Sequence, residues 1–241
     1  MMDGGRSVTF LTSSPCVPEA DRPILNPANG FVDRLCAALP SQLHVLYVCS
    51  SPDGAEKTDR YAAEMSQAFA EAGMPFASLT VLDRRSDSRA AQLIAQSNFV
   101  ILSGGHVPTQ NRYFQQINLR ELLGGYQGVL MGVSAGSMNA ARVVYAQPEE
   151  EGESADPAYR RWLDGLGLTD TMILPHYQMV KDQLLDGQRL FEDITYADSF
   201  RHAFLALVDG SYLLLEHGTE RLFGEAYRIE NGRLTQVGWK C

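Results

Sequence analysis

The chain has 241 residues, 45% hydrophobic and 20% charged, with 20 basic against 29 acidic side chains and a net charge of −9. That length buries a sizeable core without covalent staples and suits one domain, expected to span residues 1–241. Apolar residues spread along the whole chain exclude intrinsic disorder, and the acidic balance argues against a nucleic-acid surface, which needs clustered Lys and Arg. The four cysteines show no CxxC spacing, and no His stands at metal-ligand spacing from them. The opening Met-Met-Asp-Gly-Gly-Arg lacks the basic start and long apolar run expected of a signal peptide, and no apolar run approaches the roughly 18 residues of a membrane span. These features predict a cytoplasmic protein with reduced thiols and no membrane partner.

Short apolar runs alternate with helical patterns through the first two thirds. Ser7–Leu11, Leu43–Cys49, Ala77–Leu82 and Phe99–Leu102 are rich in β-branched or aromatic residues and bounded by turn formers, which predicts buried strands. Glu56–Ala72 spaces Tyr61, Met65, Ala68, Phe69 and Ala72 along one helix face and stops at Gly73. Ser88–Gln96 and Thr109–Leu123 predict further helices, and Val129–Val133 a further strand, with Ser137–Val144 as the helix after it. Strands alternating with crossover helices give a three-layer α/β fold around a mostly parallel sheet. Phe204–Val208, Tyr212–Glu216, Arg221–Ile229 and Leu234–Trp239 are strand-like runs joined by Asp209-Gly210, Gly218 and Asn231-Gly232, which predicts an antiparallel meander closing the sheet.

The chemistry concentrates at Gly132-Val133-Ser134-Ala135-Gly136. A G-x-S-x-G between strand and helix forces the serine onto a tight turn above the carboxyl end of the sheet, where open α/β folds place their sites. Small neighbours let strand and helix approach, and free N–H groups at the helix start favour a developing oxyanion. Read without that context, the serine is a helix cap in a glycine-rich turn.

A serine nucleophile needs a base. Of the histidines at 44, 106, 176, 202 and 217, His176 follows Met172-Ile173-Leu174-Pro175, an apolar run that predicts a strand ending at the same sheet edge as Ser134. The carboxylate that would orient the base is sought among Glu149, Glu150, Glu151 and Glu153, in the loop after the motif. Two glycines in Ser103-Gly104-Gly105-His106 allow close backbone approach, so an N–H from this loop and that of Ala135 are the expected oxyanion donors.

Taken in order, Ser103-Gly104-Gly105, Gly132–Asn139 and Leu174-Pro175-His176-Tyr177 resemble the peptidase E (aspartyl dipeptidase) and cyanophycinase family of serine peptidases. The run Leu207-Val208-Asp209-Gly210-Ser211-Tyr212 is similar to that family's closing strand and turn. The resemblance implies a fold like the class I glutamine amidotransferases, with serine where those enzymes carry cysteine. It implies hydrolysis of small peptides or amides through an acyl-enzyme, without metal or organic cofactor. Ser134 matches the nucleophile and His176 the base; an ungapped carry-over puts the acid at Glu149, with Glu150 one step away. The oxyanion donors fall at Ala135 and at Gly105 or His106, and the substrate contacts at Gly104, Tyr177 and Lys181. The chain departs from the aspartyl dipeptidases in two places. Gln178–Arg189 lacks their Glu-Thr-Arg segment, leaving Lys181 and Arg189 as cationic candidates, and His106 replaces a glycine.

Two other readings use the same residues. An α/β-hydrolase esterase shares the G-x-S-x-G but places its histidine late, which would favour His217 over His176. A non-catalytic binding or regulatory domain would retain the fold without turnover. Oligomeric state is not readable from the sequence.

Overall fold

The structure, a computed structural model, describes residues 8–18 and 20–239. The expected strand start at Ser7 and the fourth cysteine, Cys241, lie outside them. In chain order the elements begin β1 (Val8–Thr12), α1 (Phe31–Ala38), β2 (Leu43–Val48), α2 (Ala55–Glu71), β3 (Phe76–Leu82), α3 (Ala90–Gln96) and β4 (Phe99–Leu102). There follow α4 (Val107–Gln116), α5 (Leu119–Leu123), β5 (Val129–Val133), α6 (Ala135–Asn139), β6 (Val143–Tyr145), β7 (Trp162–Asp164), β8 (Met172–Leu174) and α7 (Tyr177–Val180). The hairpin β9 (Leu184–Leu185) and β10 (Gln188–Arg189) precedes β11 (Phe204–Leu207), β12 (Tyr212–Glu216), β13 (Thr219–Phe223), β14 (Ala226–Glu230) and β15 (Arg233–Gly238).

The central sheet has seven strands in the order β13-β12-β1-β5-β4-β2-β3. Its β1, β5, β4, β2 and β3 run parallel, while β12 and β13 join antiparallel at the β1 edge. Alternation along β2 explains the layers. Val45 and Tyr47 face α1 and α2 in a cluster with Phe31, Leu35, Met65 and Phe69. Leu46 and Val48 face the other side, where Leu93, Ile94, Phe114 and Leu119 of α3, α4 and α5 cover them. Every residue of β4 is buried, as both faces of a parallel strand must be. Each such Val, Ile, Leu or Phe contributes roughly 1.5–3 kcal/mol of transfer free energy.

The three-layer α/β expectation holds, and the differences have local causes. The C-terminal strands do not form one meander. Glycine at 224, with φ +94, breaks the run 221–229, so β12 and β13 stay on the central sheet. β14 and β15 instead join β11 and β8 in a second sheet ordered β15-β14-β11-β8. Leu11, Ile173, Leu207 and Leu213 pack together where the two sheets meet. The expected helix 109–123 is broken at Asn118, whose φ of 55 is a left-handed conformation that Asn tolerates. The helix after the serine is also shorter than expected: α6 ends at Asn139, because Leu166, Gly167 and Leu168 donate their N–H groups to the carbonyls of Asn139, Ala141 and Ala140. The chain then leaves as β6, paired with β7. Helix α1 was not among the expected elements.

Candidate active site

Three segments converge at the carboxyl ends of β1, β5, β8 and β11. The first is the β5–α6 turn. Ser134 has φ 50 and ψ −111, a region that non-glycine residues rarely adopt. Close packing enforces it. A Cβ on Gly136 would stand 2.2 Å from the Leu102 carbonyl oxygen, and one on Gly132 would stand 2.9 Å from the Ser137 backbone. The Thr12 carbonyl at the end of β1 accepts the Ser134 N–H at 3.1 Å and the Ser137 hydroxyl at 2.8 Å.

The second segment leaves β8 through Pro175. His176 takes a left-handed φ of 57, and its N–H donates to the Ser13 hydroxyl at 2.7 Å. Its Nε2 lies 2.9 Å from Ser134 Oγ. Its Nδ1 lies 2.7 Å from Oδ1 of Asp209, the third segment, just beyond β11. A carboxylate only accepts, so Nδ1 carries the proton and Nε2 is left to accept from the serine. The Asp209 side chain is 6% exposed. Burial pushes its carboxyl upward, yet the hydrogen bonds from His176, Ser13 and Gln178 outweigh that and hold it below the ordinary aspartate value.

The carboxylate beside His176 is therefore Asp209, and the sequence expectation of Glu149 or Glu150 is corrected. Glu149 Oε1 accepts the Val107 N–H at the start of α4 at 3.0 Å. Burial raises its carboxyl above the ordinary glutamate value, and the Val107 bond only partly offsets this. Glu150 lines a neighbouring cavity, and Glu151 is exposed. Glu153 Oε1 bonds His106 Nε2 at 2.8 Å, while its Oε2 accepts the N–H groups of Glu149 and Glu150. The signal that finds Asp209 is strand pairing. β8 and β11 run parallel with Leu174 opposite Ala206, so residues just past each strand emerge side by side. The Val-Asp-Gly that follows β11 places its one carboxylate there.

The remaining expected residues divide. Gly104 lies against the serine, since a Cβ on it would be 3.4 Å from Ser134 Cβ. Gly105 has φ +153, and its Cβ would stand 2.3 Å from Ser50 Oγ. Ala135 opens α6, and Gly105 and His106 flank the cavity next to it. The His106 ring is occupied on both nitrogens, by Thr109 Oγ1 at 2.7 Å and by Glu153. Tyr177 is not free to meet a substrate: it is buried against Phe191 and Tyr227. Lys181 is exposed beside Asp182, and Arg189 is paired with Asp193. His217 is exposed at the β12–β13 turn next to Glu216, away from the serine, so the arrangement that would favour an esterase is absent among the described residues.

A cavity of about 890 Å³ opens beside the glycine loop, walled by Val133, Gly104, His106, Tyr47, Ser50 and Lys57. His106, Glu150 and Glu153 bring one donor atom each within 4.8 Å of one another. Within that cluster Glu153 bonds His106 and two backbone N–H groups.

A serine, an imidazole and a buried carboxylate joined end to end above a mostly parallel sheet are the parts of a serine hydrolase. The family model described as Peptidase family S51 matches residues 21–223. The chain belongs to peptidase family S51. It is a serine-type peptidase. Among solved structures, a peptidase from an acI-B1 Actinobacterium is similar, with a TM-score of 0.65 at 14% identity, covering 98% of this chain and 96% of that one. A putative peptidase E protein from Listeria monocytogenes EGD-e is similar with a TM-score of 0.60 at 15% identity, over 90% of this chain and 97% of that one. At such identities the likeness speaks for the S51 fold. No curated protein matches the chain. No helix among the described residues of this S51 peptidase is long and apolar enough to cross a membrane.

Proposed function

We propose that this S51 peptidase hydrolyses small peptides or amides with Ser134 as nucleophile, His176 as general base and Asp209 as the carboxylate that orients it. The observation that carries the reading is the continuous hydrogen-bonded chain from Ser134 Oγ to His176 Nε2 at 2.9 Å and from His176 Nδ1 to Asp209 at 2.7 Å. In the first step Ser134 Oγ attacks the scissile carbonyl carbon as its proton passes to His176 Nε2. The carbonyl oxygen becomes an oxyanion held by the N–H of Ala135 and by that of Gly105 or His106. Collapse breaks the C–N bond, and the His176 proton leaves with the amine. Water then attacks the acyl-serine, giving its proton to His176, which returns it to Ser134 Oγ as the acid is released. Asp209 stays ionised throughout and stabilises the imidazolium.

The cavity that begins at Gly104 and Val133, the neighbours of Ser134, has a volume of about 890 Å³, in the range of small-molecule sites, though the three triad residues themselves do not line it. Neither Lys181 nor Arg189 stands ready to read an acidic side chain, so no preference for amino-terminal aspartate is assigned. The test is a panel of dipeptides and aminoacyl amides, read by mass spectrometry, with wild type beside Ser134→Ala and His176→Ala. Turnover by wild type that both variants lose supports the reading; equal turnover in either variant overturns it.

A further inference from the structure

Asp209 is held at both oxygens, by one group distant in sequence and one nearer to it. Ser13, the residue after β1, is fully buried, and its hydroxyl donates to Asp209 Oδ1 at 2.7 Å. The same oxygen accepts the His176 main-chain N–H at 2.7 Å. One hydroxyl therefore fixes the carboxylate and the backbone of the imidazole it serves. On the other side Gln178 Nε2 donates to Asp209 Oδ2 at 2.7 Å, while the Asp209 N–H donates to Gln178 Oε1 at 3.1 Å. That second bond fixes which end of the amide faces the carboxylate, since a backbone N–H requires an oxygen. A glutamate at 178 would accept the same N–H but would set its other oxygen against Oδ2.

We propose that Ser13 and Gln178 are positioning residues of this peptidase: together they stop Asp209 from rotating and hold the His176 imidazole on line with Ser134. The inference rests on the hydrolytic reading of the site for its kinetic consequence, though not for its geometric one. A carboxylate bonded only to the imidazole can swing about its terminal torsion, and small misplacements of a reacting group are costly. With donors on both oxygens only one orientation satisfies every partner. Ser13 adds a restraint on the His176 backbone, whose left-handed conformation is uncommon for a residue other than glycine.

The experiment compares Ser13→Ala, Gln178→Ala and Gln178→Glu with wild type in kcat, KM, pH profile and thermal midpoint. Ser13→Ala is expected to lower kcat about 10- to 100-fold with KM changed less than about threefold. Its acid limb moves to higher pH, because Asp209 with one donor fewer attracts the imidazole proton more strongly. Gln178→Ala follows in the same direction, and its exposed position keeps the fold intact if the buried Ser13 variant does not express. Gln178→Glu loses most activity at neutral pH and regains part of it on acidification, as the new carboxyl is protonated and donates again. Wild-type kcat in both alanine variants overturns the proposal. So does a fall in kcat that tracks thermal midpoint with the pH profile unmoved. A second readout is independent of turnover: the low-field proton resonance of the Nδ1–H between His176 and Asp209, recorded in the Ser134→Ala background. Its displacement by both Ser13→Ala and Gln178→Ala supports positioning even if no peptide is cleaved, and an unmoved resonance in both overturns it.

Discussion

Asp209 follows His176 by 33 positions, yet its Oδ1 lies 2.7 Å from the imidazole Nδ1. Parallel pairing of β8 and β11 makes that contact, whereas the acidic loop nearer in sequence is drawn off to α4 and His106. Replacing Asp209 by Asn keeps the shape and lets the wrong tautomer form, so kcat is expected to fall about 10⁴-fold. Glu149→Gln is expected to keep activity within about threefold, since its amide oxygen still accepts the Val107 N–H. Steady-state kinetics on the two variants tests both halves.

The Glu149 carboxyl also makes a stability prediction of definite sign. Its folded value is raised above 4.5. The stability it contributes is present below that unfolded value and lost as pH rises through the folded one. At neutral pH the ionised group is a burden, so Glu149→Gln is expected to raise the urea midpoint at about pH 7 and to change it little at about pH 4.

Asp209 has the opposite sign. Its folded value lies below the ordinary 3.8, so it stabilises the fold above that value and the contribution disappears as pH falls through the folded one. Urea titrations at about pH 7 and about pH 3 should show wild type losing more stability between them than Asp209→Asn does. The exposed pairs Arg84–Asp53 and Arg85–Asp59 contribute little to that difference, because water screens them.

Ser134 pays in backbone strain for its exposure above the sheet. A residue at φ 50, ψ −111 costs about 1–3 kcal/mol unless it is glycine. Both Ser134→Ala and Ser134→Gly lose turnover, but the glycine variant is expected to be the more stable by about 1 kcal/mol or more. Thermal melts of the two inactive proteins measure the difference directly.

The glycine loop separates room from conformation. Gly104→Ala meets ordinary van der Waals contact at Ser134 Cβ, so it should fold and chiefly raise KM. Gly105→Ala puts a Cβ within 2.3 Å of Ser50 Oγ at φ +153 and should destabilise by about 1–3 kcal/mol. Thermal midpoints of the pair, alongside KM for Gly104→Ala, distinguish the two effects.

How much of this was legible in the sequence depends on the range of the interaction. Val129–Val133 and the Gly-x-Ser-x-Gly after it are local patterns, and strand, turn and serine fall where those patterns put them. Pro175 closing an apolar run marked the end of β8 ahead of His176, although β8 belongs to the second sheet and not, as expected, to the sheet that carries Ser134. The acid was not legible locally, because Glu149 and Asp209 differ only in which strand pair stands behind them. The C-terminal runs were recognisable as strands, but their division between two sheets depends on the kink at Gly224 and on Leu207 and Leu213 packing where the sheets meet. Ser13 carried no motif at all. Its part emerges only when the first strand lies between β5 and β12.

That placement of β1 governs when the site comes into being. Thr12 and Ser13 hold Ser134, His176 and Asp209 from one strand end, and β1 itself pairs with β5 on one side and with β12 on the other. β1 thus depends on a partner that begins at Tyr212, far along the chain. Without β12, one edge of β1 is open. The three groups of the site thus come together only when strands far apart in the sequence have paired, and no short segment of the chain carries the site alone.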